Sequence, residues 1–266
     1  MTNDETNKLY SYQDEEIIID DIIGYEFINN DWTYEKYSKI REDVYHYLHS
    51  PEYLERKTDY KALSFEHQQI VDMVVQEVYE RAKSIEPHIS EDLKNLVINE
   101  NSELVSFEHR LKTIASLQRK IIADSKDYAG SYRRAAYNLA DSVRYTIVIP
   151  DDEYILKVDE YLHRLESMGY DVVDVKNNWG KPAYQGINVR FAVGGENDLF
   201  ELQFHTRKGY DIKEKNTRDL YQVIREETAP FELKVRANEL RILLQTTVVA
   251  PIGALDYQYE SEVKRR

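Results

Sequence analysis

The sequence predicts an α+β fold, in which a mixed β-sheet of about four or five strands carries helices on its apolar face and follows a helical N-terminal region. Three observations predict it. Between about residues 33 and 100, apolar residues recur at helical spacing, as in IVDMVVQEV. The segments GINVRFAV and LFELQFHT alternate apolar and polar side chains around a GGEND turn, which is typical of paired strands. RYTIVI and YDVVDVK are two further strand-like segments with a helical pattern between them.

The composition excludes several classes of function. The chain has 266 residues, a net charge of -14 and no cysteine. Nucleic-acid binding by bulk charge is therefore not expected, and neither are disulfides, zinc-thiolate sites or thiol catalysis. The acidic N-terminus is not a Sec-type signal, and the apolar runs are too short to span a bilayer. We expect a cytoplasmic protein without a membrane partner.

Two helix boundaries follow from local signals. Pro87 is expected to end the helix that begins near Ser64, and Ser90 to begin another. The next helix is predicted over about residues 106–124. Its apolar stripe is Leu111, Ile114, Leu117 and Ile121, and its polar face carries Lys112, Ser116, Arg119 and Lys120.

This basic stretch, RLKTIASLQRKI, is unusual in so acidic a chain. Clustered cations with a hydroxyl group between them suit the phosphates of a triphosphate. Asp141 and Glu201 are the two acids expected to face the same cleft, and Mg²⁺ bridging phosphates needs only one or two carboxylates from a protein. Tyr184, expected to be exposed in a Gly/Pro-rich loop, could stack on a purine acceptor. These residues predict phosphoryl or pyrophosphoryl transfer.

Four segments, in this order, resemble the RelA/SpoT-type (p)ppGpp synthetase domain over roughly residues 85–225. They are RLKTIASLQRKI, DSVRYTIVI, KPAYQGIN and ELQFHT. The resemblance implies a nucleotidyltransferase-like synthetase fold and an enzyme, a pyrophosphokinase that transfers the β,γ-pyrophosphate of ATP to the 3′-hydroxyl of a purine nucleotide with Mg²⁺.

The resemblance also implies a role for each matching residue. Asp141 and Glu201 would be catalytic and hold the metal. The ATP-binding residues would be Arg110, Lys112, Ser116, Arg119, Lys120 and Arg144. The acceptor-binding residues would be Lys181, Tyr184, Asn188, Gln203 and His205.

The departures from the family pattern lie on the acceptor side. Gly186 and Asn188 replace a serine and a histidine, and His205 stands where the housekeeping enzymes usually have arginine. The acceptor stays open between GDP or GTP, an adenine nucleotide and the 3′ end of tRNA. A catalytically silent nucleotide-binding module is a further alternative.

The resemblance further implies a stand-alone synthetase, because no HD dipeptide of a hydrolase half precedes residue 100. A set of segments and residues resembles the branch found in toxins and mobile elements more than the housekeeping enzymes. It consists of the KNxW segment, YxGIN, ELQFHT, Lys213 or Lys215, Leu220, Tyr221 and Arg225. Such a protein would inhibit growth and would have an antitoxin or immunity protein as a partner.

Four regions are expected along the chain. Residues 1–30 form an acidic N-terminal segment and residues 31–100 a helical region. The RelA/SpoT-like synthetase domain spans residues 101–227, and residues 228–266 form a C-terminal helix and tail packed on it.

Overall fold

A computed structural model describes residues 32–54, 59–194 and 198–260. The acidic segment 1–30 lies outside these ranges. The described residues group into two compact units: residues 32–54 with 212–249, and residues 59–211 with 250–260. All of the residues expected in the site belong to the second unit.

The secondary structure is a mixture of helices and strands. The α-helices are α1 (Tyr34–Leu48), α2 (Pro51–Leu54), α3 (Asp59–Ala62), α4 (Phe65–Val97), α5 (Ile114–Ser125), α6 (Tyr132–Tyr137), α7 (Tyr154–Ser167), α8 (Arg207–Asp211), α9 (Arg218–Ile224) and α10 (Phe231–Thr246). The strands are β1 (Glu103–Val105), β2 (Arg144–Val148), β3 (Tyr170–Asn177), β4 (Ile187–Val193) and β5 (Leu199–His205). Short 3₁₀ helices cover Phe107–His109 and Lys126–Tyr128, and a π-helix covers Ile212–Asn216.

The strands form a mixed sheet in the order β1-β2-β5-β4-β3. Strands β2 and β5 pair in parallel, and the other neighbours are antiparallel. This arrangement confirms the predicted fold class. The edge strand β1 was not predicted, because its three residues are too few to show an alternating pattern.

The sheet has one apolar and one polar face, as the alternation predicted. The apolar side chains are buried and include Tyr145, Ile147, Val189, Phe191, Phe200, Leu202 and Phe204. Helices α4 and α7 cover this face: the hydroxyl groups of Ser90 and Tyr145 are 2.8 Å apart, and Tyr161 stacks on Phe204. The opposite face carries Arg144, Asn188, Arg190, Glu201, Gln203 and His205.

The first unit is built from α1, α9, α10 and the short elements beside them. The N-cap of α1 is Thr33, whose hydroxyl accepts from the backbone N–H of Lys36 at 3.1 Å. Arg236 on α10 forms a 2.8 Å ion pair with Asp43 on α1. The π-helix residue Asn216 accepts a hydrogen bond from Arg41 through its backbone oxygen.

Two predicted helix boundaries are wrong. Helix α4 continues through Pro87 to Val97, because the buried residues Ile89, Leu93 and Leu96 extend its core-facing stripe past the proline. Helix α5 begins at Ile114 and not near residue 106, because Thr113 caps it by accepting from the N–H of Ser116 at 3.2 Å. Lys112 therefore precedes the helix rather than lying on its face.

No helix among the residues that the structure describes is long and apolar enough to cross a membrane.

Candidate active site

Lys112 and Asp141 form the centre of the site. Leu111 makes an isolated bridge to Val143, and the N–H of Lys112 donates to the carbonyl of Ser142 at 3.0 Å. This pairing places the Lys112 side chain beside the segment that leads into β2. The Lys112 ammonium group donates to the Asp141 carboxylate at 2.7 Å and to its backbone oxygen at 3.1 Å.

The Asp141 carboxylate is suited to a cationic ligand. Burial alone would raise its pKa, but the ammonium groups of Lys112 and Lys120 and the Arg144 guanidinium hold that pKa below the usual range. Asp141 is therefore ionised at neutral pH. Its Oδ2 atom binds Lys112, whereas Oδ1 is buried and has no hydrogen-bond partner among the described residues. A buried acceptor without a partner costs free energy unless a ligand or water fills the place.

Glu201 lies on β5, next to the segment that carries Asp141. Its N–H donates to the Val143 carbonyl at 2.9 Å, and its Cα is in register with that of Arg144 on the neighbouring strand. Within the described residues, Arg144 has no hydrogen-bonded or ion-paired side-chain partner. Lys112 is within electrostatic reach of both Glu201 and Arg144. Two carboxylates and two cations thus meet at this point of the sheet.

These two carboxylates fit Mg²⁺. The described residues contain no cluster of three or more His, Cys, Asp or Glu side chains that could hold a metal by itself. Mg²⁺ in phosphate-transferring sites uses one or two carboxylates and completes its shell with water and substrate phosphates. Asp141 Oδ1 and the Glu201 carboxylate would supply the protein ligands.

A chain of hydrogen bonds connects Glu201 with side chains of β5, of β4 and of the loop before β4. Gln203 donates to Glu201 Oε1, and Asn188 approaches the same oxygen at 3.5 Å. The Tyr184 hydroxyl is 2.7 Å from Asn188 Oδ1 and 2.9 Å from His205 Nε2. Tyr184, Asn188, Gln203 and His205, predicted on the acceptor side, are therefore connected to Glu201.

Tyr184 is half-buried, so the expectation of an exposed tyrosine is wrong. The ring packs edge-on against His205, with centroids 5.2 Å apart. Burial and the nearby Glu201 carboxylate raise the pKa of Tyr184 well above its ordinary value, so the hydroxyl keeps its proton. Tyr184 remains a hydrogen-bond donor throughout the neutral range.

Gly186 and His205 depend on each other. A Cβ atom at position 186 would lie 2.8 Å from the His205 ring and 2.8 Å from the Phe204 carbonyl oxygen. The φ angle of Gly186 is +149°, which also disfavours any side chain. His205 Nδ1 lies 2.9 Å from the Gln185 carbonyl, which fixes the ring in this place. Gly186 and His205 therefore form one packing unit.

Helix α5 supplies the remaining basic residues. The Ser116 hydroxyl accepts from Thr113 at 3.0 Å in the first turn. Lys120 forms a 3.0 Å ion pair with Asp124, one turn further along. Arg119 is exposed and has no hydrogen-bonded or ion-paired partner in the part of the chain that the structure describes.

Arg110 is directed away from this group. Its Nε donates to the Glu86 carboxylate, and its guanidinium lies 4.3 Å from the centre of the Phe107 ring. Glu86 is buried on α4 and also accepts from Ser90. Sequence reasoning missed Glu86, because Pro87 was expected to end the helix at this point, whereas α4 continues through it.

The Lys181 side chain lies apart from the hydrogen-bonded chain, although the Lys181 backbone oxygen accepts from the Gln185 amide at 2.6 Å. It is exposed, and its ammonium group donates to Asn178 at 2.8 Å within the loop before β4. Arg190, in contrast, was not among the expected site residues although its alternation with Asn188 places it on the polar face. It stands in register with Glu201 on the neighbouring strand.

No protein-family model matches the sequence, and no curated protein matches it. Two solved structures are similar. One is smu.1046c from Streptococcus mutans UA159, with 14% identity, a TM-score of 0.45, and coverage of 64% of this chain and 91% of that chain. The other is the small alarmone synthetase 1 from Bacillus subtilis bound to its product pppGpp, with 14% identity, a TM-score of 0.39, and coverage of 66% and 88%. The chemistry proposed for this chain rests on its own residues.

Proposed function

We propose that this protein is a Mg²⁺-dependent nucleotide pyrophosphokinase of the RelA/SpoT type, which transfers the β,γ-pyrophosphate of ATP to the 3′-hydroxyl of a purine nucleotide. The product would be (p)ppGpp or (p)ppApp. The observation that carries the proposal is the half-buried Lys112–Asp141 pair, whose buried Asp141 Oδ1 atom has no partner among the described residues, next to Glu201 and Arg144. The four motifs supply the residue types that this chemistry needs, in the family's order.

In this proposal the donor side neutralises and aligns the ATP phosphates. Lys112, Arg144 and Lys120 bring three positive charges to the surroundings of Asp141. Mg²⁺, when bound at Asp141 and Glu201, would offset the negative charge of the phosphates. Alignment and charge neutralisation are the main sources of catalysis in phosphoryl transfer.

Glu201 is suited to receive the proton of the acceptor hydroxyl. The acceptor 3′-oxygen attacks the β-phosphorus of ATP, and the bond from that phosphorus to the α,β-bridging oxygen breaks. AMP leaves with the electron pair, and the 3′-hydroxyl proton passes to Glu201. Gln203 and Asn188 orient the carboxylate.

The proposal is tested with purified protein, Mg²⁺ and ATP labelled on the γ-phosphate. GDP, GTP, ADP, ATP and bulk tRNA are offered separately as acceptors. Transfer of label to a guanine or adenine nucleotide supports the proposal and names the acceptor. Transfer to tRNA alone would replace it with a tRNA-modifying toxin, and the absence of transfer would favour a silent nucleotide-binding module.

An active synthetase without an opposing hydrolase would drain ATP in the cytoplasm and inhibit growth. We therefore include in the proposal an antitoxin or immunity protein as a partner. Induced expression in a bacterial host would stop growth for the wild type and not for a Glu201→Gln variant. Equal inhibition by both proteins would contradict this part of the proposal.

Tyr184→Phe separates the two roles of this tyrosine. The ring remains, so the KM for the acceptor is expected to change by less than about two-fold. The hydroxyl that fixes Asn188 and His205 is lost, so kcat is expected to fall about ten-fold, the equivalent of one hydrogen bond. Steady-state kinetics would measure both quantities. Tyr184→Leu, which also removes the ring, would in addition raise KM. A Tyr184→Phe variant with wild-type kcat would show that only the ring matters.

A further inference from the structure

Arg190 belongs to a row of charged residues that crosses four strands of the sheet. Glu201 on β5 is in register with Arg144 on β2 and with Arg190 on β4. Arg190 is in turn in register with Asp174 on β3, and its Nη2 atom lies 3.3 Å from the Asp174 carboxylate. Glu201 therefore has an arginine on each side.

The charges of this row are not paired with one another at Glu201. Within the described residues, Glu201 forms an ion pair with neither arginine. The Nε atom of Arg190 is buried and has no hydrogen-bond partner there. Nearly all buried N–H groups in proteins are paired, and an unpaired one costs free energy. The Arg190 side chain is still 35% exposed, so a ligand can reach the guanidinium.

The ligand that fits this place is an anion with several acceptor oxygens. A guanidinium group offers a planar fork of donors that matches phosphate. Arg190 lies two residues beyond Asn188 on the same face of the same strand.

We propose that Arg190 binds the 5′-phosphate of the acceptor nucleotide while Glu201 faces its 3′-hydroxyl. The inference rests on the proposed function and adds the residue that recognises the 5′-phosphate of a free acceptor nucleotide. One ribose ring separates the 3′-hydroxyl from the 5′-phosphate, and neighbouring strands lie about 4.8 Å apart. One nucleotide can therefore reach both residues, with the ATP phosphates on the opposite flank, toward Arg144 and Lys112.

Kinetics of an Arg190→Gln variant test this assignment. Guanosine, GDP, adenosine and ADP serve as acceptors with ATP as the labelled donor. For the diphosphate acceptor, KM is expected to rise about 10- to 100-fold, the equivalent of a charge-assisted hydrogen bond. The KM for the unphosphorylated nucleoside and the KM for ATP should change by less than about three-fold.

Asp174→Asn is the matched control. It removes the ion pair of Arg190 and leaves the guanidinium in place. If Arg190 only pairs with Asp174, Asp174→Asn will reproduce the Arg190→Gln kinetics, and the proposal is overturned. An unchanged diphosphate KM in Arg190→Gln would overturn it as well. If Arg190→Gln fails to fold, Arg190→Lys is used in its place, because it keeps the positive charge but loses the planar guanidinium donors. A KM for the diphosphate acceptor equal to that of the wild type would then overturn the proposal.

A binding measurement separates this inference from the proposed function. Calorimetry with 3′-deoxy-GDP and 3′-deoxy-ADP measures acceptor binding without transfer. If the wild type binds one of them and Arg190→Gln binds it at least ten-fold more weakly, the site stands even if no transfer is found. If neither binds, or if only tRNA accepts label, the assignment of Arg190 to a nucleotide phosphate is wrong.

Discussion

Replacing Glu201 with glutamine is expected to lower kcat for pyrophosphate transfer on the order of 10³-fold, within the range found when a catalytic base or a charge-stabilising group is removed. The amide keeps the shape of the side chain but cannot take the acceptor proton. It also weakens any bond to Mg²⁺. The γ-label assay measures kcat, and calorimetry measures ATP binding.

The same variant should remain folded. Glu201 accepts from Gln203 and is not ion-paired among the described residues, so the change leaves no buried charge without its partner. We expect the Tm to stay within a few degrees of the wild type. Glu108→Gln removes an exposed carboxylate and is the matched control, with expected wild-type kinetics. More than a tenth of the wild-type kcat in Glu201→Gln would rule out Glu201 as the base.

Replacing Arg110 with methionine is expected to destabilise the protein by about 3 kcal/mol, at the lower end of the cost of breaking a buried ion pair. The change removes the guanidinium that, together with Ser90, holds the pKa of the Glu86 carboxyl below its usual range despite burial. It therefore leaves the buried Glu86 carboxyl without its charged partner. The cost lies at the lower end because the Arg110 side chain is 28% exposed. Thermal unfolding should show a Tm lower by roughly 6 to 12 °C.

A double-mutant cycle identifies the cause. Glu86→Leu combined with Arg110→Met replaces the pair by apolar groups, and we expect it to recover at least half of the lost stability. The affinity of the folded Arg110→Met variant for ATP then tests the role in ATP binding that the family resemblance implies for Arg110. A Tm equal to that of the wild type would show that Arg110 does not hold Glu86 in solution.

The polar face of the sheet could be predicted because strand alternation is local. Asn188 and Arg190, like Glu201, Gln203 and His205, fall on one side whatever the rest of the chain does. The helix boundaries near Pro87 and Arg110 could not be predicted in the same way. Long-range packing decided both, because buried residues of α4 continue past Pro87 and Leu111 pairs with Val143.

The sequence by itself determined the α+β class and the two faces of the sheet. It also determined that the chain has the cations and carboxylates that phosphate chemistry needs. Only the tertiary structure decided which charges meet. Lys112 reaches Asp141 across 29 residues, and Arg110 turns to Glu86 across 24. Both arginine and lysine side chains are long and flexible, so their partners depend on which carboxylate is buried nearby, and burial is a property of the folded chain.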